Sequence, residues 1–161
     1  MVNIKIYFYK NYTNNIISRL IHFFQTILKC KEYAKYTHVE LQIGETSYSS
    51  SFMDGGVRKK NINYDESHWD FIEMIISEEE MFSILDFFEE QEGKKYDLRN
   101  IFLSQFFNFK NDNCDKWVCS ELVTKLLSFV SGIKLNNKPY EYSPCELARE
   151  LIRNNNMKIG C

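Results

Sequence analysis

A single cysteine, Cys119, lies near the start of a stretch whose apolar residues recur every three or four positions, as they do on one face of a helix. The pattern from Asp115 to Val130 predicts a helix that Asp115 caps and that Ser131-Gly132 ends. A thiol in the first helical turn lies near unpaired backbone N–H groups and the positive end of the helix dipole, which favour the nucleophilic thiolate. The position therefore suits a catalytic nucleophile. It suits a buried core cysteine equally well, since free cysteine is among the most buried residue types.

A thiol nucleophile needs a base, and a histidine in a suitable pattern lies 81 residues before Cys119. Polar and apolar residues alternate over 37–43, which predicts a strand with His38 and Glu40 on one face. A turn at Gly44-Glu45 then leads into a serine-rich strand, which is expected to pair with the strand of His38. The cysteine and the histidine indicate acyl-transfer chemistry only if the fold brings them together.

The elements that must position these residues follow from the same periodicities. The order is one strand, one helix, several strands and then mostly helices, which predicts an α+β fold with a small antiparallel sheet packed against helices. The strand of residues 69–76 is expected to be central. Strands are predicted over residues 4–9, 37–43, 46–52, 57–62 and 69–76. Helices are predicted over residues 13–28, 77–93, from about 98, over 115–130 and over 143–154, with Ser-x-x-Glu capping boxes at Ser77 and Ser143.

The composition fits a single folded domain spanning residues 1–161. Hydrophobic residues make up 44% and aromatic residues 16% of the chain, which excludes a disordered protein, and a net charge of −2 gives no indication of a nucleic-acid partner. The charge is uneven, because residues 1–36 hold six basic side chains and one acidic one. The basic N-terminal helix could therefore contact an anionic membrane or polymer, or it is simply a solvated helix face.

Cysteine usage indicates a reducing compartment. The number of cysteines, five, is odd, and their spacing is irregular. The N-terminus lacks the apolar core of a signal peptide, and no apolar run approaches the length of a membrane span. We therefore expect a cytoplasmic protein with free thiols and no metal site. The cysteines are Cys30, Cys114, Cys119, Cys145 and Cys161.

Three pieces of the sequence, the last of them in two segments, resemble in this order the circularly permuted papain-like hydrolases of the NlpC superfamily. YTHVELQIG resembles the strand that carries the base, and YSSSFMDGGVR resembles the next strand and its turn. GKKYDLRN and KWVCSELV resemble the block that carries the nucleophile. In the permuted branch the histidine strand precedes the cysteine helix, as it does here. The resemblance spans roughly residues 4 to 130 and suggests a viral or bacterial source, with the host cytoplasm as the location if viral.

The resemblance implies roles for individual residues. It makes Cys119 the nucleophile and His38 the general base. Tyr96 would donate to the oxyanion or to the substrate, and the backbone N–H of Cys119 would be the second oxyanion donor. Tyr96 could instead be an aromatic residue that anchors a turn. Relatives often carry Glu, His, Asn or Gln on the strand after the histidine strand, whereas this strand is rich in serine. Ser50 lies near the expected place but is a weak orienter of the ring. Glu40, on the face of the histidine, is the other candidate, unless it is a solvated strand residue.

The function implied is that of a papain-like cysteine peptidase or amidase. It would cleave an amide or isopeptide bond in a peptide or protein-conjugate substrate through an acyl-enzyme, without a cofactor or metal. Three alternatives stay open. The chain could be a lipid acyltransferase or thioesterase of the same fold, similar to lecithin:retinol acyltransferase, or a catalytically inactive binding module. It could also hold a structural zinc ion between Cys114, Cys119 and His38.

Overall fold

The structure is a computed structural model that describes residues 1–10, 33, 35–97 and 116–160. These ranges form one sheet, three α-helices and a short 3-10 turn. The strands are β1 Val2–Tyr9, β2 His38–Ile43, β3 Thr46–Ser51, β4 Gly56–Asn61, β5 Trp69–Ile76, β6 Lys95–Tyr96 and β7 Lys116–Trp117. The helices are α1 Glu78–Gln91, α2 Cys119–Leu127 and α3 Pro144–Asn154, and the 3-10 turn is Pro139–Glu141.

The sheet is larger than predicted. Its seven strands lie in the order β5-β1-β2-β3-β4-β6-β7. Neighbours are antiparallel except β6 and β7, which are parallel. The prediction that residues 69–76 form a central strand is wrong, because β5 comes first in this order. The α+β class is confirmed, but the sheet is neither small nor wholly antiparallel.

The hairpin of β2 and β3 has the predicted two-residue turn. Ile43 pairs with Thr46 and Leu41 with Tyr48, which leaves Gly44 and Glu45 as the turn residues. Gly44 has a φ of 61°, which suits the first central position of a type II′ turn. This register keeps Leu41 in the core and places His38 and Glu40 together on the opposite face of β2.

The core lies between one face of the sheet and the helices. Val39 and Leu41 of β2 are fully buried, as their alternation with polar residues predicts. In α1, Ile84 and Phe88 are buried, whereas Leu85 is only partly so. Tyr36, which precedes β2, is also fully buried. Further large buried side chains come from β1, β5, α2 and α3: Ile4, Ile6, Phe8, Ile72, Ile76, Leu122, Leu126, Leu127, Leu147 and Leu151.

Capping explains where two of the helices begin. The backbone N–H of Glu80 donates to the Ser77 hydroxyl at 3.1 Å, and the Ser77 N–H donates to the Glu80 carboxylate at 2.8 Å. Ser143 and Glu146 form the same reciprocal pair at the start of α3. Both predicted capping boxes are confirmed. Each satisfies two backbone N–H groups that would otherwise lack partners at the helix start.

The cysteine helix begins later than predicted. Asp115 was expected to cap it, but the N-cap residue is Val118, which provides no side-chain hydrogen bond, and Cys119 is the first helical residue. The predicted helices over 13–28 and from about 98 lie outside the described residues, as do Cys30, Cys114 and Cys161. In the part of the chain that is described, no helix has the length and apolar character needed to cross a membrane.

Candidate active site

Cys119 opens α2 directly after β7 and is 2% exposed. Because its N-cap, Val118, has no hydrogen-bonding side chain, the N–H groups of the first turn receive no side-chain cap. A second buried thiol, Cys145, also lies in the first turn of a helix, but it contacts the Ser143 hydroxyl at 3.2 Å. The helix start alone therefore does not distinguish the two cysteines; their side-chain partners do.

His38 connects Cys119 to a buried carboxylate. Its Nε2 atom lies 2.8 Å from Glu40 Oε1, and its ring also forms a side-chain hydrogen bond with Cys119. With Nε2 engaged by Glu40, Nδ1 is the ring nitrogen left for the thiol. The fold thus brings together two residues that are 81 positions apart, and a carboxylate lies on the far side of the ring.

The surroundings of His38 favour its protonated form. Burial by itself lowers the pKa of the imidazole, since a desolvated charge is unfavourable. The charge and hydrogen bond of Cys119, followed by those of Glu40, outweigh burial and raise the pKa of His38 from 6.5 to about 10. An imidazolium held in this way is the natural partner of a thiolate.

Glu40 is ionised although it is only 1% exposed. Arg58 donates to both of its carboxylate oxygens, from Nη1 at 2.7 Å and from Nη2 at 2.5 Å. Burial raises the pKa of Glu40, but the hydrogen bonds from Arg58 and then from His38 outweigh burial and hold that pKa below its ordinary 4.5. A bidentate contact from an arginine fixes the plane of the carboxylate and stabilises its ionised form. Glu40 is therefore a rigid, charged acceptor for the histidine.

Arg58 is the site residue that sequence reasoning missed. It lies on β4 beside Ser49 of β3, and its Nε atom also donates to Asp54 at 2.8 Å. Two successive hairpins, β2–β3 and β3–β4, bring Arg58 close to Glu40. In the sequence, a basic residue in the strand after the Asp-Gly-Gly turn could have indicated a partner for Glu40. Predicting that contact required the registers of both hairpins.

An aromatic cluster lies beside the His38–Glu40 pair. Trp69 meets the His38 ring edge-on, with centroids 6.3 Å apart, and also meets Tyr64 edge-on at 4.9 Å. Tyr64 stacks on Tyr7 with centroids 3.5 Å apart. Tyr7 is the direct neighbour of Glu40 across β1 and β2. These rings limit the access of water to the carboxylate, which strengthens its hydrogen bonds.

Tyr96 reaches Cys119 from β6. Its hydroxyl forms a side-chain hydrogen bond with Cys119, and burial, followed by the charge of Cys119, raises the pKa of Tyr96 well above 10. The phenol therefore stays protonated and can donate a hydrogen bond. Gly56 permits this placement, because a Cβ there would lie 2.0 Å from the Lys94 carbonyl oxygen at the point where β4 meets β6.

Ser50, the other candidate orienter of the His38 ring, forms its hydrogen bond with a different group. Its hydroxyl donates to the backbone carbonyl of Trp117 at 2.7 Å, and its side chain is fully buried. Among the described residues, the ring of His38 thus meets Glu40 and not Ser50. The serine links β3 to the residue that precedes Val118 and so helps to fix the start of α2.

Comparison with known proteins adds no relative. The chain matches no model of a known protein family, and no curated protein resembles it closely enough in sequence to count as a match. The roles proposed for the site residues rest on their types, their spacing, this geometry and the resemblance described above.

Proposed function

We propose that this chain is a cysteine hydrolase that cleaves an amide or isopeptide bond in a peptide or protein conjugate. The observation that carries the proposal is the continuous chain of side chains from Cys119 through His38 to Glu40. A nucleophile, a base and an orienter in hydrogen-bonded sequence form the arrangement that activates thiols for acyl transfer.

In the first half of the reaction, the Cys119 thiolate attacks the carbonyl carbon of the scissile bond. The electron pair of the carbonyl moves to its oxygen, which the Tyr96 hydroxyl and the Cys119 backbone N–H stabilise as donors. The His38 imidazolium then gives its proton to the amine as the carbon–nitrogen bond breaks. A thioester to Cys119 is left, with a neutral imidazole beside it.

In the second half, His38 acts as a base. It takes a proton from water, and the resulting hydroxide attacks the thioester carbonyl. The carbon–sulfur bond breaks, the acid leaves, and the thiolate–imidazolium pair is restored. Glu40 keeps the ring in one orientation throughout and stabilises its charged form, while Arg58 holds Glu40 in place.

The fold we propose for this enzyme is the permuted papain-like one of the NlpC superfamily, in a single domain. Its support is the order of the elements, with the histidine strand β2 ahead of the cysteine helix α2. The YTHVELQIG and KWVCSELV segments fall on β2 and on the start of α2. No step of the proposed reaction needs a cofactor or metal.

The test is the rate at which iodoacetamide alkylates each cysteine as a function of pH, read by mass spectrometry. Cys145 is the matched control, because it too is buried in the first turn of a helix. We expect Cys119 to react at least tenfold faster than Cys145 below neutral pH, and His38→Ala to remove that advantage. Circular dichroism shows whether the variant is folded.

A different result would overturn the proposal. If Cys119 reacts no faster than Cys145 in the parent protein, no activated thiol exists. If Cys119 is alkylated rapidly and His38→Ala does not lower that rate, the histidine does not activate the thiol. In either case the chain is better treated as a non-catalytic binding module.

A further inference from the structure

A cavity of about 440 Å³ lies beside α2, within the size range of small-molecule sites. Three aromatic side chains form its walls, and three lysines surround them. The aromatic residues are Phe87, Trp117 and Tyr140, and the lysines are Lys94, Lys125 and Lys138. The reaction proposed for Cys119 uses none of them.

This cavity is separate from the thiol. Glu121 and Lys125 contribute to its wall from α2, two and six residues after Cys119. At 3.6 residues per turn, these two side chains are rotated by about 200° and 240° from that of Cys119. The cavity therefore opens on the side of the helix away from the thiol, and a ligand there would leave the thiol uncovered.

The charges in the cavity favour an anion. Three lysines and one carboxylate, that of Glu121, line it. Within the described ranges, no carboxylate forms an ion pair with Lys125 or Lys138. Their ammonium groups instead lie over ring faces, Lys125 5.5 Å from the centroid of Phe87 and Lys138 5.8 Å from that of Tyr140. Both can donate to an anionic group without first losing a carboxylate partner.

The inner wall is fixed by hydrogen bonds. Gln91 is 6% exposed, and its side-chain oxygen accepts from Lys94 Nζ at 2.7 Å and from Trp117 Nε1 at 3.1 Å. Phe87 meets Trp117 edge-on, with centroids 5.9 Å apart. The indole is thus held in place from two sides and presents a preformed aromatic surface, against which a flat ring can stack at little cost in ordering.

We propose that this cavity is a binding site for a small aromatic anion, that is, a flat ring system carrying a carboxylate, sulfonate or phosphate. The ring would lie against Trp117 and Tyr140, and the anionic group would be held by Lys125 and Lys138. This site does not depend on the proposed hydrolase activity. Alkylation of Cys119 should leave it intact.

The test uses 8-anilinonaphthalene-1-sulfonate as the aromatic anion and N-phenyl-1-naphthylamine as its uncharged analogue, with binding followed by fluorescence. We expect one molecule of the sulfonate to bind the native protein and to raise its melting temperature. Lys125→Met and Lys138→Met should each weaken that binding about tenfold. Lys134→Met, a change at an exposed lysine outside the cavity, should not weaken it.

The uncharged analogue separates the role of charge from that of apolar area. Its affinity should be the same in the parent protein and in both lysine variants. Energy transfer from tryptophan to the bound sulfonate locates the probe, and it should fall in Trp117→Phe, which retains Trp69 and an aromatic wall. Equal sulfonate affinity in the parent and both lysine variants, or no rise in melting temperature, would overturn the proposal.

Discussion

Replacing Arg58 with methionine should destabilise the protein mainly because it leaves the buried carboxylate of Glu40 without its arginine partner. Glu40 is 1% exposed and Arg58 14%, so the substitution removes two charged hydrogen bonds from a carboxylate that water cannot reach. Breaking a buried ion pair by removing one partner typically costs about 3–5 kcal/mol. The partial exposure of Arg58 places the expected loss near the lower end, about 3 kcal/mol. For a chain of this size that loss lowers the melting temperature by about 6–12 °C.

The loss should be traceable to Glu40, because the other partner of Arg58 is otherwise satisfied. Asp54 keeps Lys60, whose Nζ lies 2.9 and 2.8 Å from its two carboxylate oxygens. The matched control is Lys59→Met on the same strand, which breaks a pair with Glu92 whose members are 44% and 37% exposed. An exposed pair of this kind contributes about 0–1 kcal/mol, so the control should melt close to the parent protein.

Urea denaturation followed by circular dichroism gives the free energy of unfolding for each variant. The double variant Glu40→Met with Arg58→Met completes a cycle with the two single variants. It should be more stable than the sum of the single losses predicts, since the double substitution removes both the carboxylate that Arg58→Met leaves without its arginine and the guanidinium that Glu40→Met leaves without its carboxylate. The reasoning is refuted if Arg58→Met costs less than about 1 kcal/mol, or if the two losses simply add.

Two further predictions concern pH. His38, whose pKa is raised to about 10, should remain an imidazolium well above neutral pH and attract an anionic reagent, so Cys119 should prefer iodoacetate to iodoacetamide. That preference should decline as the pH rises through about 10 and be absent in His38→Ala; a preference that is independent of pH would contradict it. The folded-state pKa of Glu40 lies below the ordinary value of 4.5. Ionised Glu40 therefore stabilises the folded protein fully above pH 4.5, and this stabilisation is lost as the pH falls through the folded-state pKa. Unfolding free energies measured from pH 7 to 3 should therefore fall less steeply in Glu40→Gln than in the parent protein.

Local patterns were enough to predict much of the fold. The period of two over 37–43 and the glycine at 44 define the β2–β3 hairpin, so the shared face of His38 and Glu40 could be predicted from the sequence. The serine–glutamate pairs at Ser77 and Ser143 define two helix starts in the same way. Each of these signals lies within a few residues of the structure it specifies.

The contacts that depend on distant pairing could not be predicted. The position of β5 at one end of the strand order depends on its pairing with β1, whose residues lie 60 to 74 positions earlier, from Tyr9 with Trp69 to Val2 with Ile76. Periodicity contains no information on pairing partners. The start of α2 at Cys119 is set in part by the bond from Ser50 to the Trp117 carbonyl, which joins residues 67 positions apart. A capping residue predicted from neighbours alone, Asp115, was therefore wrong.

The Glu40–Arg58 pair explains how a strand of serines can stand where an orienting residue is expected. Arg58 keeps Glu40 ionised in its buried position, so the carboxylate stabilises the imidazolium of His38 by its charge as well as by its hydrogen bond. Because the arginine also fixes the plane of the carboxylate, Glu40 holds the ring in one orientation. A lone buried carboxylate could instead take up the proton of the imidazolium, which would leave the thiolate without its charged partner. In the proposed mechanism Arg58 is therefore a positioning residue that keeps the proton on the histidine.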